Sequence, residues 1–324
     1  MKEYIKSLQI GNVNLKNNLI SAPMAGVSDL VFRTLCRRYD VGLAVTEMIS
    51  AKALEYNNKK CYELLETNEF DRPLAVQIFG HEVQSIIRAV EILNTLPFDI
   101  LDFNMGCPVP KIFNNKDGCA LMKEPLEVER IVKAVVKYSK KPVTVKIRAG
   151  IDENSVNAVL IAKIIEESGA CAVAVHGRTR SQMYEGFADL NVIAEVKRHV
   201  KIPVIANGDI VDKASAKRMF DITCCDGIMI ARGSRGRPFI FKEILTDLRD
   251  NQPYSVPDKE ELIELILEHT RMMIDKYGEN AAIKKMRKHI AWYTASFPNS
   301  ARIRQMTNCV TGYDELKEIL IKKF

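Results

Sequence analysis

Cys107 stands in the stretch Asn104-Met105-Gly106-Cys107-Pro108, where a glycine and a proline impose a sharp, exposed turn around the thiol. A thiol on such a loop can act as a nucleophile or give up a proton. Lys146, in Val143-Thr144-Val145-Lys146-Ile147-Arg148, could hold a negatively charged ring, form a Schiff base, or merely pair with Glu47 or Asp102. Gln77 offers an amide donor and acceptor suited to the edge of a flat heterocycle. In His176-Gly177-Arg178-Thr179-Arg180, an arginine two residues beyond a histidine and beside a glycine suits contact with an anion or a base. Two glycine-containing turns, Asn207-Gly208-Asp209 and Arg232-Gly233-Ser234-Arg235-Gly236, can aim backbone N–H groups at a phosphate, or can be turns alone.

The elements that must carry these residues are legible as short Val- and Ile-rich runs, each followed by a helical pattern. The runs are 19–23, 42–46, 74–79, 100–104, 143–148, 172–176, 204–206 and 227–231. They recur roughly every 30 residues, the length of a strand–helix–strand unit. Helical periodicity fills 29–38, 82–94, 125–138, 155–167, 190–199, 213–220 and 238–248, and less regularly 50–66. Glu47, Gln77, Asn104, Lys146, His176, Asn207 and Arg232 all fall at or just past the end of a predicted strand. A closed (β/α)8 barrel brings all eight such ends around one pocket, which an open sheet does not. The first strand is also followed by no G-x-G-x-x-G turn, so the dinucleotide fingerprint of an open sheet is missing. Residues 8–15, centred on Gly11-Asn12, read as a hairpin placed to plug the barrel bottom.

After Leu248 the pattern changes. Residues 250–258 form a polar linker with two prolines, and 259–277, 281–295 and 313–323 carry helical periodicity with no strand between. The reading is an α/β TIM barrel over 1–245 followed by a small helical domain over 246–324. Between Ala281 and Tyr313 stand six Lys or Arg and no Asp or Glu. Lys284 and Lys288 share a helix face, Trp292 and Tyr293 follow, and Arg302 and Arg304 come next. This pattern suits an RNA backbone with unstacked bases, or else a solvated face.

Composition narrows the classes. At 324 residues, 47% hydrophobic and 27% charged, the chain is neither disordered nor fibrous. It has no run long and apolar enough to cross a membrane, and its first six residues hold no apolar signal core, so a cytoplasmic protein is expected. Eight cysteines without a C-x-x-C pair argue against a disulfide scaffold, a zinc ribbon or an iron–sulfur cluster, and no metal is expected. A net charge of +6 permits an anionic partner.

Taken together, the motifs resemble those of the tRNA-dihydrouridine synthases, most closely the bacterial B-type branch. The likeness runs over nearly the whole chain: Ala22-Pro23-Met24-Ala25-Gly26, Thr46-Glu47-Met48, Val76-Gln77-Ile78, Asn104 to Pro108, Lys146-Ile147-Arg148, His176 to Thr179, Asn207-Gly208-Asp209 and Arg287 to Tyr293. The resemblance implies an FMN barrel with a helical tRNA-binding domain. FMN would rest on Pro23, Met24 and Ala25, with Gln77 and Lys146 on its ring. Asn207, Gly208, Asp209, Ala231 and Arg232 would hold its phosphate end, and His176 would lie nearby. Asn104 and Arg178 would hold the uracil edge, Cys107 would be the proton donor, and NADPH (or NADH) would be the reductant. Lys284, Lys288, Arg302 and Arg304 would bind tRNA, and a single chain acting as a monomer would suffice. Where the family often has glycine, Ala231 stands here. The rival readings are an FMN barrel acting on a small pyrimidine or enone, a Schiff-base lyase using Lys146, and a non-catalytic RNA-binding protein.

Overall fold

The computed structural model describes residues 3–323. A hairpin comes first, β1 (Leu8–Ile10) against β2 (Val13–Leu15). The parallel strands follow: β3 (Leu19–Ser21), β4 (Leu43–Val45), β5 (Ile49–Ser50), β6 (Leu74–Phe79), β7 (Ile100–Met105), β8 (Val143–Arg148), β9 (Ala172–His176), β10 (Val204–Asn207) and β11 (Gly227–Ile230). Their order is β4-β3-β11-β10-β9-β8-β7-β6-β5, and pairing of β4 with β6 closes the ring into the expected (β/α)8 barrel. The intervening helices pack on it by their apolar stripes. Pro125–Tyr138, for example, begins on a proline and buries Val128, Ile131, Val132 and Val135.

Period-2 alternation sorts each strand into two faces. Outward residues such as Leu101, Phe103, Val145 and Ile147 join the helices in the main core. Inward residues near the strand starts, including Ile20, Leu43, Ala75, Ile100, Ala172 and Ile205, pack with Leu8, Ile10 and Leu15 of the hairpin. The hairpin therefore plugs the barrel from below, as its sequence suggests. Toward the C-terminal ends the inward positions turn polar. The register sets Gln77 beside Asp102, Asp102 beside Thr144, Asn104 beside Lys146, Arg148 beside His176, and His176 beside Asn207.

One irregularity shapes the rim. Val45 pairs with Ala75 while Ile49 pairs with Ile78, so the chain between β4 and β5 carries an extra residue, a bulge. The Thr46 hydroxyl accepts the Gln77 N–H at 3.0 Å in place of a ladder carbonyl. The bulge frees Glu47 from the sheet.

Beyond β11 the described residues contain helices and no strand. Lys259–Tyr277 starts at a capping box in which Asp258 and Glu261 bond each other's backbone N–H. Glu279–Tyr293, Ser300–Cys309 and Tyr313–Lys323 follow. The helix Ser300–Cys309 is absent from the sequence reading; only Ile303 and Thr307 of it are buried, too sparse a pattern to register. The tail core built on Leu262, Ile266, Met286 and Leu316 also takes in Val31, Leu35 and Phe239 from barrel helices and loops. Gly236, at φ +67°, lies so close to the tail that a Cβ would fall 2.4 Å from the backbone of Trp292 and Tyr293. No helix among the described residues is long and apolar enough to cross a membrane.

Candidate active site

The strand ends enclose a cavity of about 710 Å³, within the range of small-molecule sites. Of the residues singled out from sequence, Pro23, Met24, Ala25, Gln77, Asn104, Cys107, Lys146, His176, Asn207, Gly208, Asp209, Ala231 and Arg232 line it. Met48, Arg148 and Arg235, which the sequence places in motifs without a role for their side chains, line it too, and so does Tyr184, which no motif contains. Arg148 could have been found, because it lies two residues past Lys146 on one strand and so shares its face. Tyr184 sits on the long loop between β9 and the helix Leu190–His199, whose path no local pattern fixes.

Cys107 is only 7% exposed, so the turn that carries it is folded into the barrel mouth rather than held out in solvent. The Gly118–Lys123 helical turn covers it, with the Cys119 N–H donating to the Cys107 carbonyl at 3.1 Å. Burial pushes the thiol pKa up, against smaller opposing effects of the Val109 N–H, Arg148 and Lys146. The thiol is thereby kept protonated, which suits an acid and not a resting thiolate nucleophile.

Lys146 donates to Asn207 Oδ1 at 3.1 Å, and Asn207 Nδ2 donates to the Met229 carbonyl at 2.8 Å. Among the described residues it makes no ion pair with Glu47 or Asp102. Burial lowers its pKa to about 8, with Arg148 adding to the effect. It remains a cation at neutral pH that would gain from a neighbouring anion. Gln77 and Asn104 are bound to each other: Asn104 Nδ2 donates to Gln77 Oε1 at 2.9 Å, and Gln77 Nε2 donates to Asp102 Oδ2 at 2.6 Å. Asn104 Oδ1 accepts the N–H groups of Gly106 and Cys107 at 3.1 and 2.9 Å.

At the β10 and β11 turns, no acceptor among the described residues takes the backbone N–H of Gly208, Arg232 or Gly233. Gly208, at φ +132°, could not carry a Cβ, which would fall 2.5 Å from Ala188. His176 is held neutral, chiefly by burial and then by the positive field of Lys146, Arg148, Arg178 and Arg232. The Arg232 guanidinium lies over the Tyr184 ring, 5.2 Å from its centroid, and 3.3 Å from Asp209. On the first loop the Met24 N–H is taken by Ser28 Oγ and that of Gly26 by Glu47, whereas that of Ala25 has no partner among the described residues.

Two expected residues lie elsewhere. Arg178 is buried outside the cavity lining; it donates to the carbonyls of Glu185 and Gly186 and pairs with Asp209 at 2.8 Å, bracing the loop that carries Tyr184. Lys288, half-buried, donates to the Gly26 carbonyl, tying the tail to the first loop of the barrel. Lys284, Arg302 and Arg304 are exposed on the tail and pair with no acid among the described residues.

The flavin expected from the motifs has a matching cradle in these groups. Unpartnered N–H groups gather at the β10 and β11 turns for a phosphate, a glycine there leaves room for it, and a half-buried cation and two amides line the same cavity for a ring.

The family model described as Dihydrouridine synthase (Dus) matches residues 20–324. A "Probable tRNA-dihydrouridine synthase" from Rickettsia bellii is 40% identical over 316 residues, covering 97% of each chain. A "tRNA-dihydrouridine synthase B" from Pseudomonas putida is 39% identical, covering 94% of this chain and 91% of its own. Among solved structures, TcOYE with pHBA superposes with a TM-score of 0.58 at 12% identity, covering 80% of this chain and 96% of its own. A variant of NCR from Zymomonas mobilis gives 0.56 at 13%, covering 81% and 96%. At such identities these two carry the fold alone.

Proposed function

We propose that this chain, which belongs to the dihydrouridine synthase family, reduces the C5–C6 double bond of uridines in tRNA, with FMN as its bound cofactor, NADPH as reductant and Cys107 as proton donor. The observation that carries the reading is the buried Cys107 thiol in one cavity with Lys146, Gln77 and Asn104 and with a set of unpartnered backbone donors. Bound FMN supplies hydride chemistry at C6 of the uracil ring.

The rest falls to the chain's own groups. A uridine in folded tRNA must leave its stack to enter the cavity. Asn104, whose carbonyl is engaged by the Cys107 loop, has one amide hydrogen left to donate to a uracil carbonyl. That hydrogen bond favours the negative charge that develops on the oxygen as C6 accepts hydride. The Cys107 thiol then delivers its proton to C5. Lys146, with its pKa lowered to about 8 and its ammonium bonded to Asn207, would balance negative charge on the cofactor ring. Gly208, Arg232 and Gly233 hold the phosphate with their N–H groups, with Asp209 and Ala231 shaping the two turns and His176 as a neutral neighbour. Ala231 leaves those donors in place.

Residues 246–324 serve as the RNA-binding part, with Lys284, Arg302 and Arg304 on phosphates. Lys288 acts from the same helix but through the Gly26 loop, and Arg178 acts through the Tyr184 loop. Such an enzyme works where tRNA is, in the cytoplasm, as a single chain. The absorption spectrum of the purified protein tests the reading at once. Flavin bands that bleach with NADPH and return on adding tRNA lacking dihydrouridine are expected. A colourless protein trapped by borohydride would replace it with a Schiff-base enzyme.

A further inference from the structure

The cavity residues hang on one buried group that does not touch the cavity. Asp102, on β7, is 3% exposed and is absent from the lining. Its Oδ1 accepts the Thr144 hydroxyl at 2.6 Å and its Oδ2 accepts Gln77 Nε2 at 2.6 Å. The contacts then run in one direction, from Asn104 Nδ2 to Gln77 Oε1, and from the Gly106 and Cys107 N–H groups to Asn104 Oδ1.

We propose that Asp102 is a positioning residue: by accepting from Gln77 it fixes the direction of this relay and so the seat of the Cys107 loop. The argument is one of hydrogen-bond polarity. An amide has a donor end and an acceptor end of nearly equal shape, and only its partners decide which way it points. A carboxylate accepts and cannot donate, so Gln77 must turn Nε2 toward Asp102 and Oε1 toward Asn104. Asn104 must in turn offer Nδ2 to Gln77, which leaves Oδ1 for the two loop N–H groups. Were Gln77 to flip, Asn104 would follow, and its NH2 would face two backbone donors. Buried donors left facing donors are costly, so the loop would shift. Burial raises the Asp102 carboxyl to about 6, while the hydrogen bonds from Thr144 and Gln77, and then the Lys146 cation, oppose that rise; both of its oxygens accept.

The inference rests on the proposed reaction for its effect on rate, though not for its effect on the loop. The test compares Asp102→Leu, of similar shape but unable to accept, with Asp102→Asn, which can still accept from Gln77 by turning its NH2 to the Thr144 oxygen. Each flavin-bound protein is examined for hydrogen exchange at the Gly106 and Cys107 amides and for the single-turnover rate with tRNA. In Asp102→Leu the two amides should exchange about tenfold faster, while those of Ile147 and Val175 stay as in the wild type. The tRNA step should slow by about tenfold at unchanged tRNA affinity, and Asp102→Asn should recover most of both. Wild-type exchange in Asp102→Leu would overturn the proposal, and so would an Asp102→Asn protein as impaired as Asp102→Leu, which would make the charge the working feature. Asp102→Ala takes the place of Asp102→Leu if the latter does not fold. A wild-type protein inactive on tRNA would refute the proposed function instead, and the exchange comparison would still judge the relay.

Discussion

Polar residues are used in opposite ways at the barrel mouth and on the tail. Around the mouth, Asp102, Gln77 and Asn104 are buried and bonded in one series, and half-buried Lys146 is bonded to buried Asn207, so each side chain has one orientation. On the tail, Lys284, Arg302 and Arg304 stand exposed with no acidic partner among the described residues. The first arrangement fixes atoms to within hydrogen-bond tolerance, which proton and hydride transfer require. The second offers a field to a large polyanion, where charge matters more than angle. Lys288 belongs to neither class. It sits on the tail helix but bonds the Gly26 carbonyl of the barrel, beside the Glu47 carboxylate that accepts the Gly26 N–H.

Substitutions should separate these classes. The largest effect is expected from Cys107→Ala, which should keep its flavin, its reduction by NADPH and its tRNA affinity, yet slow the tRNA-dependent step by about 10²–10⁴-fold. Serine should rescue little, its hydroxyl being a far weaker acid than a thiol. Rapid mixing of reduced protein with tRNA reads this step directly, and a normal rate with alanine would reduce Cys107 to a packing residue.

Next in size is the triple variant of Lys284, Arg302 and Arg304 to alanine. Each lost phosphate contact should lower the log–log salt slope of tRNA binding by roughly 0.7–0.9, with flavin content untouched. An unchanged slope would make these cations a solvated face. For Lys146, whose pKa burial lowers to about 8, the proton is lost as pH rises through that value. Flavin reduction should therefore fall above pH 8, by at most about tenfold per unit, and the limb should vanish in Lys146→Met, which is slow throughout. The smallest effect is expected from Lys288→Ala. It should weaken FMN binding by about three- to tenfold through the loosened Gly26 loop, and lower the salt slope by less than any of the three exposed residues. A salt slope reduced as much as for Arg302 would return Lys288 to the phosphate-binding set.

Much of this is legible in the sequence alone. Strand periodicity located all eight barrel strands, because each buries one face on helices and the other inside the ring. The strand-end position of Gln77, Asn104, Lys146, His176 and Asn207 then placed them at one mouth. What escaped depends on where loops travel and where long side chains end. Cys107 appeared exposed because nothing local announces that the turn at Gly118 covers it. Arg178 is two residues from His176, yet its long side chain runs to the Glu185 and Gly186 carbonyls. Asp102 was visible as a strand-end acid, but its bond to Gln77 instead of Lys146 follows from strand register, which no single strand encodes.

Hydride addition at C6 and delivery of the Cys107 thiol proton to C5 of a tRNA uracil can be read in a single turnover in heavy water, with flavin-loaded protein reduced beforehand and tRNA lacking dihydrouridine, followed by analysis of the modified nucleoside. Dihydrouridine carrying solvent deuterium at C5 is expected, formed at a rate that Cys107→Ala lowers by about 10²–10⁴-fold. Fully reduced protein that leaves every uridine of the tRNA unchanged would contradict it.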